Sequence, residues 1–323
     1  MRAIVQRAYG SVDVLTPDRI ERPAIAAHEV LVKVRAAGMD RGTWHMMAGL
    51  PYLLRVIGFG LRAPKNFIAG LDVAGTVEAV GAEVTKFKPG DEVFGISRGS
   101  FAEYAAARED KLALKPGTLS FEEAAVVPIS GSTALQGLRD AGRIEAGQKV
   151  LIIGASGGVG SYAVQLAKAF DTEVTGVCST AKIEHVRFLG ADHVIDYTKE
   201  DFADGVHRYD LILDVGGNSS LPRLRRALTR KGTLVIVGGE EKGKITGGFG
   251  RQLRATALSP FVSQRLTMLA SVERGSDVEI MGEFIEAGRV TPSIDRVYPL
   301  AEVPDAMRHL MAGEVRGKIA ITI

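Results

Sequence analysis

Apolar and polar positions follow two different rhythms along the chain. In residues 1–115, short apolar runs such as 30–34 and 72–80 are separated by turn signals, including Lys-Pro-Gly-Asp at 88–91. Short runs bounded by Pro and Gly predict strands, so this part is expected to form an irregular, barrel-like antiparallel structure. Residues 41–66 break the rhythm and predict a helical or looped excursion from the barrel.

From about residue 120, predicted strands and helices alternate. A continuous apolar strand is predicted at 150–153, and apolar positions at helical spacing predict an amphipathic helix at 159–170. Further strands are predicted at 173–178, 193–195, 211–214 and 233–237, with helices at 181–189, 219–228, 264–272 and 278–287 and a last strand at 318–323. Such alternation predicts a parallel sheet covered by helices on both faces.

Composition and charge exclude several classes of protein. The 323 residues are 46% hydrophobic and 24% charged, which is ample for a packed core and suggests two domains. Lys and Arg number 40 against 38 Asp and Glu, a balance that argues against a nucleic-acid binder. No apolar run is long enough to predict a membrane span. Cys178 is the single cysteine, so no intramolecular disulfide can form, and the expected location is the cytoplasm.

A glycine-rich segment after the strand at 150–153 is the most informative motif. Residues 154–160 read Gly-Ala-Ser-Gly-Gly-Val-Gly. A pyrophosphate approaches the backbone closely only where residues are small, and the following helix N-terminus offers free N–H groups and partial positive charge. Strand, motif and helix come in the required order, which favours a Rossmann dinucleotide site over an ordinary βα turn. The residues predicted to contact the cofactor here are Ala155, Ser156, Gly157, Gly158 and Val159.

The end of the next strand indicates which nucleotide is bound. An NAD site usually carries Asp or Glu about 20 residues after the turn, but residues 175–182 contain neither. They contain Ser179, Thr180 and Lys182 instead. A lysine attracts the 2′-phosphate of NADPH, which an acidic residue would repel, so NADPH is favoured. Alternatively, Ser179 or Thr180 caps the next helix and Lys182 is solvated, and both interpretations can hold together.

Five stretches of sequence carry a resemblance to a known family. They are Gly-Leu-Asp-Val-Ala-Gly at 70–75, Lys-Pro-Gly-Asp-Glu-Val-Phe-Gly at 88–95, Gly-Ser-Phe-Ala-Glu-Tyr at 99–104, the motif region 154–168, and Gly-Ala-Asp-His-Val-Ile-Asp-Tyr at 190–197. The chain resembles the medium-chain dehydrogenase/reductase superfamily, specifically its zinc-free quinone oxidoreductase (zeta-crystallin-like) branch.

That resemblance implies an α/β fold. A doubly wound Rossmann domain with a parallel sheet, residues 124–263, is expected to be inserted into a GroES-like β-barrel catalytic domain, residues 1–123 completed by 264–323.

The resemblance also implies cofactor contacts outside the glycine-rich turn. Lys182 and Tyr197 match residues that hold the 2′-phosphate in NADPH-specific relatives, and Ser179 matches a neighbouring contact. Thr133 matches a position near the nicotinamide ribose and phosphates. The segments along the nicotinamide half are matched by Gly216, Val237, Gly238 and Gly239. Their glycines suit close approach of a ligand at the carboxyl ends of parallel strands.

The metal ligands of zinc-dependent relatives are not matched. The resemblance places Asp40 in the slot of their catalytic cysteine, and Leu71-Asp72 in the slot of their His-Glu pair. Leu71 cannot ligate a metal, so no metal is expected, although Asp40, His45 and Asp72 leave a non-standard site open. Zinc would polarise a substrate oxygen. A quinone or enone needs this help less, because the arriving charge is delocalised.

These observations predict an NADPH-dependent oxidoreductase that transfers hydride to a small quinone, enone or aldehyde. Asp40, Thr43 and Tyr52 are the candidate residues for protonating the product, with solvent as an alternative donor. Two other hypotheses stay open: an NAD(P)-dependent alcohol dehydrogenase or carbonyl reductase of the same superfamily, and a non-catalytic NADPH-binding sensor or structural protein.

A homodimer is also expected. Residues 253–261 are predicted to form the last strand of the nucleotide sheet, with Pro260 ending it. Such an edge strand would expose N–H and C=O groups to pairing. The family resemblance implies that two such edges pair across a two-fold axis.

Overall fold

The chain divides into two units in the computed structural model, which describes residues 1–238 and 243–323. The first unit comprises Met1–Ser132, Glu273–Gly288 and Pro292–Ile323. The second comprises Thr133–Val272 and Arg289–Thr291, so it interrupts the first along the sequence.

Strands and helices are named in chain order. The strands are β1 Arg2–Val5, β2 Thr16–Arg19, β3 Glu29–Met39, β4 Asp72–Val80, β5 Glu92–Ile96, β6 Tyr104–Arg108, β7 Leu112–Leu114, β8 Lys149–Ile153, β9 Glu173–Cys178, β10 His193–Asp196, β11 Tyr209–Asp214, β12 Leu228–Ile236, β13 Arg265–Met268, β14 Ile294–Pro299 and β15 Lys318–Thr322. The α-helices are α1 Arg41–Ala48, α2 Tyr52–Leu54, α3 Phe121–Ala125, α4 Pro128–Gln136, α5 Gly158–Ala169, α6 Ile183–Phe188, α7 Leu221–Ala227, α8 Phe249–Leu258, α9 Gly275–Glu286 and α10 Val303–Met311. Among the described residues, no helix is long and apolar enough to cross a bilayer.

The main sheet of the first unit is built around β3. Its strands run in the order β14-β15-β3-β4-β5-β7, and β6 also pairs with β3. Along β3, Val30, Val32 and Val34 are buried whereas Lys33 is exposed, the two-residue alternation of a strand with one face in the core. The C-terminal strand β15 pairs with β3 in a register that sets Ile319 opposite Met39. The tail of the chain therefore completes the N-terminal barrel.

The second unit contains a sheet of six parallel strands among the described residues, in the order β10-β9-β8-β11-β12-β13. Strand β8 is buried from Val150 to Ile153 because helices cover both faces of such a sheet. The strand order reverses between β8 and β11. At this switch point the carboxyl ends of parallel strands leave a crevice in which ligands bind. The predicted fold class, a Rossmann sheet inserted into a GroES-like barrel, is confirmed.

Two predicted elements near the end of this sheet are wrong. Residues 253–261 do not form a strand: they belong to α8 and to a short 3₁₀ turn, Ser259–Phe261. Residues 264–272, predicted as a helix, contain the edge strand β13. The buried face of α8 includes Arg251 and Gln252 beside Ala255. Polar side chains that are buried through hydrogen bonds leave no apolar period in the sequence, and this is why the helix was missed.

Candidate functional site

The glycine-rich turn lies at the switch point of the parallel sheet. Gly154 has φ +86°, a left-handed conformation that favours glycine, and a Cβ there would lie 3.0 Å from the backbone nitrogen of Gly216 in the turn after β11. A Cβ on Gly160 would lie only 2.1 Å from the carbonyl oxygen of Gly154. Helix α5 therefore packs directly on the turn, and the turns that follow β8 and β11 meet.

The N-terminus of α5 has no capping side chain among the described residues, and there is space beside it. Gly157 is the N-cap residue, and within the described chain no side chain caps the helix there. Among the described residues, a Cβ built on Gly157 would come within 4 Å of the carbonyl oxygen of Gly154 alone, at 3.6 Å. Ala155, by contrast, is buried with its methyl group directed toward Gly176 of β9. An uncapped helix N-terminus beside free space fits the pyrophosphate of a dinucleotide.

The residues proposed for the 2′-phosphate converge at the end of β9. The backbone N–H of Lys182 donates to the carbonyl of Ser179 (2.9 Å), and the N–H of Tyr197 donates to the carbonyl of Cys178 (3.1 Å). Lys182 is half-buried, and Tyr197 is exposed. Ser179, Lys182 and Tyr197 thus lie around one strand end, although 18 positions separate the first from the last in the sequence.

A carboxylate that sequence reasoning missed lies next to this cluster. Asp196 ends β10 opposite Cys178 and accepts hydrogen bonds from the hydroxyls of Thr180 (2.5 Å) and Thr198 (2.7 Å). The Thr180 hydrogen bond is the main reason that the pKa of Asp196 falls to about 2, although burial opposes it. The Thr180 hydroxyl thus donates to Asp196, and within the described chain no side chain caps the two helices that follow, whose N-cap residues are Ser179 and Lys182.

The residues proposed for the nicotinamide half follow β11 and β12. The N–H of Gly216 donates to the carbonyl of Ile153 (3.0 Å), and the N–H groups of Val237 and Gly238 donate to the carbonyl of Asp214 (3.0 and 3.2 Å). The hydroxyl oxygens of Thr133 and Ser271 lie 3.4 Å apart. Gly216, Val237 and Gly238 therefore share one end of the sheet. Gly239 lies outside the described residues.

In the first unit, a buried lysine joins the two carboxylates that were assigned to metal-ligand slots. The ammonium nitrogen of Lys318 lies 2.8 Å from Oδ2 of Asp40 and 2.8 Å from Oδ2 of Asp72. It also donates to the hydroxyl of Ser130 at 3.1 Å. The side chain of Lys318 is fully buried, that of Asp72 is 1% exposed, and that of Asp40 is 15% exposed.

Both carboxylates also accept hydrogen bonds at helix N-termini. Asp40 is the N-cap of α1 and accepts from the N–H of Thr43 (3.2 Å), and Asp72 accepts from the N–H of Ile129 at the start of α4 (2.8 Å). These donors, with the helix dipoles, stabilise two anions that share one cation. We call Asp40, Asp72 and Lys318 the buried charge cluster.

The charge states within the buried charge cluster follow from these contacts. Burial raises the pKa of Asp72 to about 6; the Asp40 carboxylate adds to the rise, and Lys318 and the Ile129 N–H limit it. Burial alone would also raise the pKa of Asp40, but Lys318 and backbone N–H groups outweigh it and hold that pKa below its usual range. The two carboxylates outweigh the effect of burial on Lys318 and raise its pKa.

The cluster does not fit a metal ion. The Lys318 ammonium stands between the two oxygens that a metal would need, and Leu71 offers no ligand. His45 makes a separate hydrogen bond: its Nδ1 lies 2.7 Å from the carbonyl oxygen of Leu50. A carbonyl oxygen only accepts, so Nδ1 carries a proton. Across residues 1–238 and 243–323, no group of three or more His, Cys, Asp or Glu side chains is arranged to hold a metal.

The three candidate proton donors lie at the start of α1 and on the short helix α2. Asp40 and Thr43 meet at the N-terminus of α1, where Thr43 is buried. Tyr52 is 44% exposed on the following segment, and the guanidinium of Arg55 lies 4.7 Å from the centre of its ring. Residues 41–66 are helical in α1, α2 and the helix Arg55–Phe59. Lys318 is a residue that sequence reasoning missed; its signal is a charged side chain at the start of the mostly apolar strand β15.

The chain matches two family models and is similar over nearly its whole length to known reductases. Residues 26–117 match a model described as "Alcohol dehydrogenase GroES-like domain", and residues 189–321 match one described as "Zinc-binding dehydrogenase". A 2-methylene-furan-3-one reductase of Solanum lycopersicum is 33% identical over 99% of this chain and 79% of its own length. An NADPH-dependent alkenal/one oxidoreductase of Arabidopsis thaliana, named as chloroplastic, is also 33% identical over 99% of this chain and 79% of its own length.

Among solved structures, the quinone oxidoreductase from Coxiella burnetii aligns with a TM-score of 0.87. It is 27% identical, and the alignment covers 100% of this chain and 99% of that one. Both units of the chain therefore have counterparts in a single known protein.

Proposed function

The chain belongs to the medium-chain dehydrogenase/reductase superfamily as an NAD(P)H-dependent oxidoreductase, and from this premise we propose that it uses NADPH to reduce quinones or other activated alkenes and carbonyls without zinc. The observation that carries the proposal is Lys318, whose ammonium lies 2.8 Å from both Asp40 and Asp72. A site built this way lacks the metal that would polarise an alcohol or a simple carbonyl. Conjugated acceptors suit it best, because they delocalise the arriving charge.

The proposed cofactor contacts follow the geometry of the second unit. The N-terminus of α5, with Ser156, Gly157, Gly158 and Val159, would hold the pyrophosphate, and Ala155 would support the turn from below. Ser179, Lys182 and Tyr197 would hold the 2′-phosphate, and Thr133, Gly216, Val237 and Gly238 would line the nicotinamide half. Bound NADPH supplies the hydride, and the protein supplies position and electrostatics.

The candidate proton donors take different proposed roles. Asp40 is ionised beside Lys318 and accepts from Thr43, so we propose that it orders the start of α1 instead of giving up a proton. The hydroxyls of Thr43 and Tyr52 remain the proposed donors, with solvent as the alternative. A small-molecule acceptor, a cytoplasmic location and a homodimer complete the proposal.

Steady-state oxidation of NADPH tests the proposal. Quinones and enones should be turned over at least about tenfold more efficiently, in kcat/KM, than unconjugated aldehydes of similar size, a difference of about 1.4 kcal/mol in transition-state stabilisation. Faster oxidation of secondary alcohols with NADP⁺ would favour an alcohol dehydrogenase instead. Tight NADPH binding without turnover of any acceptor would favour a non-catalytic sensor.

A further inference from the structure

Arg251 is a buried arginine on α8 that neither the sequence motifs nor the proposed function uses. Its side chain is 4% exposed, and its partner Asp214 is fully buried. Arginine and aspartate are rarely buried so completely unless they are paired. The Nη1 atom donates to Oδ2 of Asp214 (2.5 Å) and to the carbonyl of Ser219 (2.8 Å), and Nη2 donates to the carbonyl of Gly238 (3.1 Å).

These acceptors belong to two different turns at the same end of the sheet. Asp214 is the last residue of β11, and its other carboxylate oxygen accepts from the N–H of Gly217 (3.1 Å), which shapes the turn containing Gly216. Ser219 lies further along that connection, whereas Gly238 follows β12. One guanidinium group therefore ties together the turns that carry Gly216 and Gly238.

A planar guanidinium suits this task better than other side chains do. Its donors spread in a fixed fork, so one group can reach a carboxylate and two carbonyls in different segments. Burying an ion pair is costly, and apolar side chains of similar volume often serve stability equally well or better. The arrangement is therefore better explained by the shape that it imposes on the two turns than by a gain in stability.

We propose that Arg251 is a positioning residue that holds the turns after β11 and β12 in the form that receives the nicotinamide half of the cofactor. This inference rests on the proposed function. The adenosine half is assigned to Ser179, Lys182 and Tyr197 at the ends of β9 and β10, which lie across β8 from the Arg251 turns. Arg251 therefore governs the affinity for the complete dinucleotide and leaves the affinity for the adenosine half unchanged.

Calorimetric titration with NADPH and with 2′,5′-ADP, which lacks the nicotinamide half, tests the inference. Arg251→Gln should raise the Kd for NADPH at least about tenfold and change that for 2′,5′-ADP less than about twofold. Arg251→Lys keeps one bond to Asp214 but not the fork, so it should fall between. Arg254→Gln is the matched control, because Arg254 lies exposed on the same helix and donates to the carbonyl of Gly250 within it. It should leave both affinities unchanged.

Different results would overturn the role of Arg251 and the proposed function. Equal losses for both ligands, or a lowered melting temperature with both affinities unchanged, would show that Arg251 only supports the fold and would overturn the inference. Wild-type protein that fails to bind NADPH would overturn the proposed function, and the inference with it, before any variant is made. If Arg251→Gln does not fold, the affinities for NADPH and for 2′,5′-ADP are compared in Arg251→Lys and Asp214→Asn instead. Asn keeps an oxygen toward Gly217 and removes the charge that faces Arg251.

Discussion

The ammonium nitrogen of Lys318 lies 2.8 Å from Oδ2 of Asp72, although 246 positions separate the two residues in the sequence. The register of the sheet brings them together. Strand β15 pairs with β3 so that Ile319 faces Met39, and β3 pairs with β4 so that Gly38 faces Asp72. The next residue after Met39 is Asp40, and the residue before Ile319 is Lys318. Two strand pairings thus build the cluster on which the zinc-free proposal rests.

Lys318→Met should destabilise the protein strongly and in a pH-dependent way. It leaves two buried carboxylates without their cation, and breaking a buried pair costs about 3–5 kcal/mol. The folded pKa of Asp72 is raised to about 6, so the stability linked to its proton is present at low pH and lost as the pH rises through that value. Loss of the cation raises this pKa further. The cost of Lys318→Met should therefore be larger near pH 8 than near pH 5.

Urea unfolding across that pH range measures the effect. Lys33→Met, at an exposed position of β3, is the control and should change stability little at any pH. Adding Asp40→Asn and Asp72→Asn to Lys318→Met should recover most of the loss, because the neutral cluster buries no charge. A cost that does not depend on pH would contradict the assigned charge states.

Activity should survive chelation. The Lys318 ammonium holds the oxygens that a metal would need, so prolonged treatment with a strong zinc chelator should leave turnover unchanged. Elemental analysis should find far less than stoichiometric zinc. Zinc bound in stoichiometric amount and restoring lost activity would return Asp40, His45 and Asp72 to consideration as ligands.

Lys182→Ala should weaken the binding of NADPH and leave the binding of NADH nearly unchanged. The two cofactors differ by the 2′-phosphate, and a charge-assisted contact contributes about 1–3 kcal/mol. Titration with each cofactor gives the comparison. Lys199→Ala is the matched control, because Lys199 is a nearby exposed lysine that pairs with Asp196 at 3.5 Å. Equal losses for NADPH and NADH in Lys182→Ala would refute the assignment of Lys182 to the 2′-phosphate.

Gly157→Ala and Gly160→Ala should separate cofactor binding from stability. In the part of the chain that the structure describes, a methyl group on Gly157 meets only the Gly154 carbonyl oxygen, at 3.6 Å. The φ of −88° suits alanine, so the fold should be nearly unaffected while the methyl group obstructs the pyrophosphate. A methyl group on Gly160 would lie 2.1 Å from the Gly154 carbonyl oxygen. Such overpacking costs about 1–3 kcal/mol. Thermal melts with and without NADPH distinguish a loss of cofactor binding from a loss of stability. Equal destabilisation by both substitutions would contradict the open space beside Gly157 at the N-terminus of α5.

Met268→Pro should convert the expected homodimer into a monomer of 34.4 kDa, as measured by light scattering. Strand β13 is the edge of the parallel sheet, and the N–H of Leu269 points back to Ile236 of β12. By alternation, the N–H of Met268 points outward, where proline removes it. The outward N–H of Leu266 already donates to the hydroxyl of Ser259 (2.9 Å). A short part of the strand edge is therefore left for pairing with a second copy.

Met268→Ala keeps the N–H and should remain dimeric. A wild-type protein that is monomeric and still oxidises NADPH would show that this edge is protected in another way.

Local patterns predicted the fold well where one segment carries the whole signal. The apolar run of β8, the small residues of the turn and the amphipathic α5 follow one another in the sequence, so their order alone indicated a Rossmann unit. Prediction failed at residues 253–261 because α8 buries Arg251 and Gln252. A polar side chain is buried only when distant groups satisfy it, and those groups are invisible to a local pattern.

By itself, the sequence determined the parallel sheet, the glycine turn at the helix N-terminus and a second strand that ends without a carboxylate. These features depend on neighbouring residues and on the volume of single side chains. Only the tertiary structure decided that Lys318 would stand between Asp40 and Asp72, and that Arg251 would tie the turns after β11 and β12. The free energy of a buried charge depends on partners brought from other strands and helices, and no spacing along the chain records which partners will meet.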